Sequence, residues 1–183
     1  MRYPIVEYQD ATDEVKAIYD DIKIYYSFVP NWYKTQALTP QILSGNWEKV
    51  RSTLYEGKVP TVLKQLVTWS ISKARQCQYC ESMHSFAANL LGSELNLSPG
   101  FKLTENLDNE LIPSSYKVAV DVLTQVGRNP LETKESHYDA LRDEGFSESE
   151  IRELFSQVGL SIFLNTFADI AGVLVDKEAL SDQ

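Results

Sequence analysis

Cys77-Gln78-Tyr79-Cys80-Glu81-Ser82-Met83-His84 holds both cysteines of the chain and one of its two histidines. The spacing is C-x-x-C-x-x-x-H, within a stretch that reads as helix. Residues three and four apart on a helix share a face. Cys77, Cys80 and His84 therefore line up, with Ala87, Ala88 and Leu91 continuing the stripe. Two thiols and an imidazole on one edge suit redox chemistry, in which the thiolate is the nucleophile. Two features of the stretch predict a lowered thiol pKa. Cys77 and Cys80 sit in a first helical turn, whose free N–H groups favour negative charge, and His84 lies one turn beyond Cys80, placed to share its proton. An oxidised Cys80 is then open to capture by Cys77, because an i, i+3 pair at a helix start can close a disulfide.

Two other uses of these residues stay open. Buried cysteines serve as small core residues, with His84 as a satisfied helix histidine. Alternatively, the two thiols and the imidazole supply three zinc ligands, but a closed structural site needs a fourth. The other histidine, His137, stands far along the chain between Glu135 and Asp139 and reads as a surface residue. With both cysteines at this spacing beside a histidine, redox use is the expectation, with no metal and no cofactor.

Outward from the motif, the chain reads as helices. Asp10 to Tyr26 carries Val15, Ile18, Tyr19, Ile22, Tyr25 and Tyr26 at i, i+3, i+4, i+7 spacing. Pro30-Asn31 breaks that helix, and a short helical piece spans Trp32 to Leu38. Thr39-Pro40 caps and opens a helix to about Tyr55. Pro60 opens the next, to Arg75, with Leu63, Leu66, Val67, Ser70, Ile71 and Ala74 on one side. After a break near Gln76 comes the cysteine helix, to Leu91, with Gly92 as a left-handed stop. Ser93 to Asn109 reads as a loop between two helical halves. Further helices run from Pro113 to Gly127, from Thr133 to Glu144 with Gly145 as stop, and from the capping box Ser147-Glu148-Ser149-Glu150 to about Val175. No period-two pattern appears, so the fold class is all-α. The aromatic cluster Tyr25, Tyr26, Trp32 and Tyr33 suits a substrate entrance or an interface, with core packing favoured. A weak internal echo relates Arg152-Glu153-Leu154 to Lys64-Gln65-Leu66, and the same offset sets Asn165 against Cys77.

The chain has 183 residues, 43% hydrophobic and 23% charged, enough for a substantial core in one domain spanning residues 1–183. A net charge of −9 argues against nucleic acid and against anionic membrane surfaces. There is no signal-peptide pattern at the start, and no run near the ~20 apolar residues of a membrane span is apparent. The expected compartment is the cytoplasm, where a Cys-x-x-Cys pair is more often catalytic or metal-binding than a structural staple.

Pro60 to Gly92, with Leu63-Lys64-Gln65-Leu66-Val67 leading into Cys77, Cys80 and His84, resembles the alkylhydroperoxidase D / carboxymuconolactone decarboxylase family. Phe28-Val29-Pro30-Asn31, Leu141-Arg142-Asp143-Glu144-Gly145-Phe146-Ser147 and Asn165-Thr166-Phe167-Ala168-Asp169 resemble its peroxidase-related branch. The resemblance implies an all-helical bundle that assembles into homo-oligomers, with a catalytic core at about 40–92. It also implies thiol peroxidase activity on alkyl hydroperoxides, supported by an external thiol or disulfide-reductase electron donor. Cys80 would be peroxidatic, Cys77 resolving, and His84 part of the proton relay. The family's relay glutamate, twelve residues before the first cysteine, is here Gln65, which orients an imidazole but does not exchange a proton near neutral pH. Glu48, Glu81 and Asp169 are the substitute carboxylates considered. A lactone decarboxylase that does not need the thiols, and a slow redox module limited by Gln65, are the alternatives.

Overall fold

The computed structural model describes residues 1–180, and among these there are nine α-helices and no β-strand. Helix α1 (Asp13–Tyr26) starts on Thr12, whose hydroxyl accepts from Val15 N, and ends on Ser27 in the left-handed region at φ 61°. Short α2 (Asn31–Lys34) follows the Pro30 break. Helix α3 (Pro40–Val50) opens on proline at its first position; the Thr39 hydroxyl does not cap it but donates to Gln36 O at 3.1 Å. Its continuation, Arg51–Tyr55, is a π-helical turn, a wider winding frequent at functional sites, and it carries Tyr55.

Helix α4 (Thr61–Ala74) is the centre of the molecule. Ten of its fourteen residues are buried, including Lys64, Gln65, Thr68 and Ser72. A one-sided apolar stripe therefore understates it: α4 packs against α5, α6 and α8 together. It ends in a Schellman turn. Cys77 N bonds Ser72 O, Gln76 N bonds Lys73 O, and Gln76 takes the left-handed conformation at φ 60°. That turn makes Cys77 the N-cap of α5 (Gln78–Leu90).

Two expected helix ends move. Gly92 is not the left-handed stop: α5 tightens into a 3-10 turn over Leu91–Leu95, and Asn96 supplies the positive φ of 57°. The last long helix, α8 (Glu148–Ala171), stops at Ala171 rather than near Val175, because Gly172 takes φ 63°. Between them lie α6 (Ser114–Arg128) and α7 (Glu135–Asp143), the latter followed by Gly145 at φ 88°. The Ser147–Glu150 capping box at the start of α8 forms as expected. Helix α9 (Lys177–Leu180) closes the described chain.

By length and composition α8 is apolar enough to cross a membrane, a match the sequence reading passed over. Half of that apolar window is buried inside the protein, as befits a helix with neighbours on several sides. Buried apolar residues fall into two clusters. One joins α1, α2 and α3 to Cys77, Cys80 and the C-terminal half of α8; the other joins α4, α6 and α7 to the N-terminal half of α8.

Candidate active site

Both cysteines are buried and reduced at the start of α5. Cys77 Sγ donates to the main-chain oxygen of Asn165 on α8 at 3.8 Å. The Cys77 and Cys80 side chains lie within hydrogen-bonding reach of each other, so the sulfurs do not point to separate faces. The expected lowering of the Cys80 pKa is not found. Burial pushes this thiol well above its ordinary value, Cys77 and the charge of Asp169 add to the rise, and the Asn165 side chain opposes it. Helix-terminus polarity is outweighed here by loss of water.

His84 lies one turn below Cys80 and is also buried. The hydrogen bond that fixes it runs to α4 rather than along α5: Nδ1 lies 2.6 Å from Gln65 Oε1. An amide oxygen only accepts, so the neutral ring carries its proton on Nδ1 and keeps the lone pair on Nε2. Gln65 also interacts with Tyr55 and lowers that phenol's pKa, as amide N–H donation to the phenol oxygen does. Gln65 thus bridges Tyr55 and His84, and at 2% exposure it is no surface residue. Burial lowers the His84 pKa to about 4, so the imidazole is neutral at pH 7.

Gln65, Cys80 and His84 share one wall of a cavity of about 370 Å³, within the range of small-molecule sites. The other walls are largely aromatic, with Tyr26, Trp32, Tyr33, Tyr55 and Phe86 among them. Tyr26 and Tyr33 hydroxyls are 3.4 Å apart, and Tyr26 also interacts with Tyr55. Burial raises all three phenols, which keeps them neutral donors. The aromatic cluster that sequence assigns first to core packing does pack in the core, and it lines this cavity as well.

The substitute carboxylates stand elsewhere. Glu48 is exposed and pairs with Arg51 at 2.6 Å; Glu81 and Asp169 do not line the cavity. His137 accepts from Lys134 N at 2.9 Å at the start of α7, far from the thiols in the chain. Among the described residues no group of three or more His, Cys, Asp or Glu is arranged to hold a metal ion.

Sequence reasoning missed Tyr55 and the direct role of Asn165. A further omission is the clamp on Tyr79, inside the motif itself. Its hydroxyl donates to Asp176 Oδ2 at 2.9 Å and accepts from Trp32 N at 3.2 Å. Asp176 also accepts from Asn31 N at 2.9 Å, and burial raises its pKa to about 6. The tyrosine between the cysteines was the available signal.

No protein-family model matches the chain, and no curated protein matches it. Solved structures do. An alkylhydroperoxidase AhpD core protein from Ralstonia eutropha JMP134, described as an uncharacterised peroxidase-related protein, matches with TM-score 0.82 at 20% identity, over 97% of this chain and 93% of that one. An uncharacterised peroxidase-related protein from Silicibacter sp. TM1040 gives 0.83 at 19% identity, over 98% and 92%. The debrominase Bmp8, in complex with 2,3,4-tribromopyrrole, gives 0.81 at 16% identity, over 100% and 95%. At such identities the likeness lies in the path of the backbone: this chain has the all-α alkylhydroperoxidase-D-like fold of the peroxidase-related proteins.

Proposed function

We propose that the chain is a two-cysteine thiol peroxidase for organic hydroperoxides, working in a reducing compartment such as the cytoplasm. One observation carries the reading: two reduced, adjacent thiols and an imidazole with a fixed tautomer open onto one apolar cavity. His84 Nε2 takes the Cys80 proton as the hydroperoxide binds. The Cys80 sulfur attacks the outer peroxide oxygen, the O–O bond breaks, and the alkoxide leaves with a proton as alcohol. Cys80 is now a sulfenic acid. The Cys77 sulfur attacks it, the S–S bond forms, and hydroxide leaves with the Cys77 proton as water. An external dithiol then reduces the disulfide. Overall, ROOH and two thiols give ROH, water and a disulfide.

Gln65 is the positioning residue in this scheme. Its amide holds the ring with Nε2 ready to accept, and it exchanges no proton itself. The raised Cys80 pKa makes a slow resting enzyme, since the thiolate is scarce until a proton is removed in place.

A second reading has support in the ring-lined cavity and in the debrominase of like fold. The same thiol pair would convert a halogenated ring and two thiols into ring C–H, halide, a proton and a disulfide, moving the same two electrons. The experiment is a titration of free thiols before and after one equivalent of cumene hydroperoxide, repeated with Cys80→Ser. Loss of two thiols per chain with alcohol formed, abolished in C80S, is the expected result. Unchanged thiols sink the peroxidase reading, and halide release from a brominated ring in their place selects the second.

A further inference from the structure

We infer that the cavity beside Cys80 receives a neutral, ring-bearing molecule whose hydrogen-bond acceptor is held by the indole N–H of Trp32. This rests on the reading above only in taking the cavity as the substrate site. Trp32 is 3% exposed and lines the cavity, and its Nε1 has no hydrogen-bond partner. A buried N–H left without an acceptor costs free energy that a ligand's oxygen restores. The other buried polar side-chain atoms without partners, on Arg51, Gln157 and Asn165, belong to residues that do not line this space. The indole cannot easily turn to find a partner of its own. Edge-on contacts with Tyr33, Phe163 and Phe167, at centroid distances of 5.0, 5.9 and 5.1 Å, hold the ring in place.

The rest of the wall sets the chemical class. Aromatic rings dominate it, which suits a planar apolar partner. No lysine or arginine lines it among the described residues, and its one carboxylate, Glu94, is exposed. An anionic ligand would enter without a counter-charge and lose its hydration, so a carboxylate is excluded on energetic grounds. Tyr26, Tyr33 and Tyr55 are neutral phenols and offer dipoles, not charge.

The test uses three unreactive probes of one shape on the full chain: 2-phenylpropan-2-ol, its hydrocarbon isostere tert-butylbenzene, and the anion 2-methyl-2-phenylpropanoate. Affinities come from ligand-observed NMR. The alcohol is expected to bind about five- to twentyfold more tightly than the hydrocarbon, the range of one recovered hydrogen bond. In Trp32→Phe that ratio collapses toward one, and the anion binds weakest to both proteins. In wild type the Trp32 indole N–H resonance shifts on adding the alcohol and not on adding the hydrocarbon, a readout that stands even if W32F does not fold. An unshifted indole resonance, an alcohol preference that survives W32F, or an anion that binds as well as the alcohol overturns the inference. Consumption of cumene hydroperoxide is followed in parallel. If the protein turns over the hydroperoxide but shows no alcohol preference, this inference alone fails. If it binds the alcohol through Trp32 but consumes no hydroperoxide, the peroxidase reading alone fails.

Discussion

Helix α4 carries polar side chains into the core in two places. Along α8, Thr68 Oγ1 accepts from Gln157 Nε2 at 2.7 Å and from Ser161 Oγ at 2.9 Å, and Ser72 Oγ accepts from Asn165 Nδ2 at 2.8 Å. Toward α5 and α3, Gln65 meets His84 and Tyr55. The seam with α8 uses short hydroxyls and amides that let two helices close on each other, and its donors find acceptors within the protein. The other place is ringed by large aromatic side chains from α1, α2, α5 and the π turn after α3. Those rings meet edge-on, as Tyr26 does with Tyr33 and Tyr55, and leave the cavity between them. The same helix thus builds a sealed joint and a reactive chamber, and what differs is the size and rigidity of the groups facing it. The internal echo fits this contrast. Glu153, the counterpart of Gln65, accepts from Lys58 N and Val59 N and pairs with buried Lys64 at 3.3 Å, so it anchors chain instead of facing a ligand.

The contrast is most easily broken at the sulfurs. Cys77→Ser removes the resolving thiol, so turnover of cumene hydroperoxide is expected to fall to background. One equivalent should still be consumed, leaving a sulfenic acid at Cys80 that mass spectrometry detects; full turnover by C77S would show that Cys77 has no resolving role. Next in size is Gln65→Glu. A carboxylate against the Nδ1 proton raises the basicity of His84, and a restored proton relay is expected to raise the peroxidase rate about 10²-fold. A rate unchanged or lowered in Q65E would show that the amide is not the limiting group.

A pH series sharpens the comparison through two buried groups of opposite sign. His84 falls from 6.5 to about 4 on folding, so its contribution to stability is complete above pH 6.5 and is lost as pH falls through 4. Asp176 rises from 3.8 to about 6, so its contribution is complete below pH 3.8 and is lost as pH rises through 6. Each amounts to about 3 kcal/mol, and between pH 4 and 6 they nearly cancel. Asp176→Asn should leave the His84 slope alone, so that urea stability climbs more steeply with pH over this window than in wild type. His84→Gln should tilt the profile the other way. Parallel profiles for the three proteins would contradict both shifts.

The smallest expected effect lies in the seam. Thr68→Val leaves the Gln157 amide and the Ser161 hydroxyl without their acceptor, at a cost of about 2 kcal/mol in unfolding free energy. Thiol reactivity with hydroperoxide should stay within about twofold of wild type, since a seam residue touches neither sulfur. A large loss of reactivity in T68V would show that seam and chamber are one coupled unit.

Much of this was legible without coordinates. The i, i+3, i+4 stripes gave the helices, Ser147 and Glu150 gave a helix start, and the C-x-x-C-x-x-x-H spacing brought the thiols and His84 to one helix start. Gln65 was singled out by its distance from Cys77 and does meet His84. What failed to show was any effect that depends on burial from several sides. The periodicity of α4 suggests one apolar face, yet Lys64, Thr68 and Ser72 are buried as well. The Cys80 pKa moved upward because desolvation exceeds the helix-start effect, and the depth of a residue is not written in its neighbours along the chain.

The order and type of helices, and the registration of two cysteines and a histidine on one of them, follow from the sequence alone, because helical periodicity and capping are set by residues within a few positions of one another. The cavity, its phenols, the unpartnered Trp32 N–H and the grip of Asp176 on Tyr79 were decided only by tertiary packing. They join α1, α2, the π turn, α5 and the last residues of the chain, and such distant pairings are fixed by which large side chains fail to fill the space between helices.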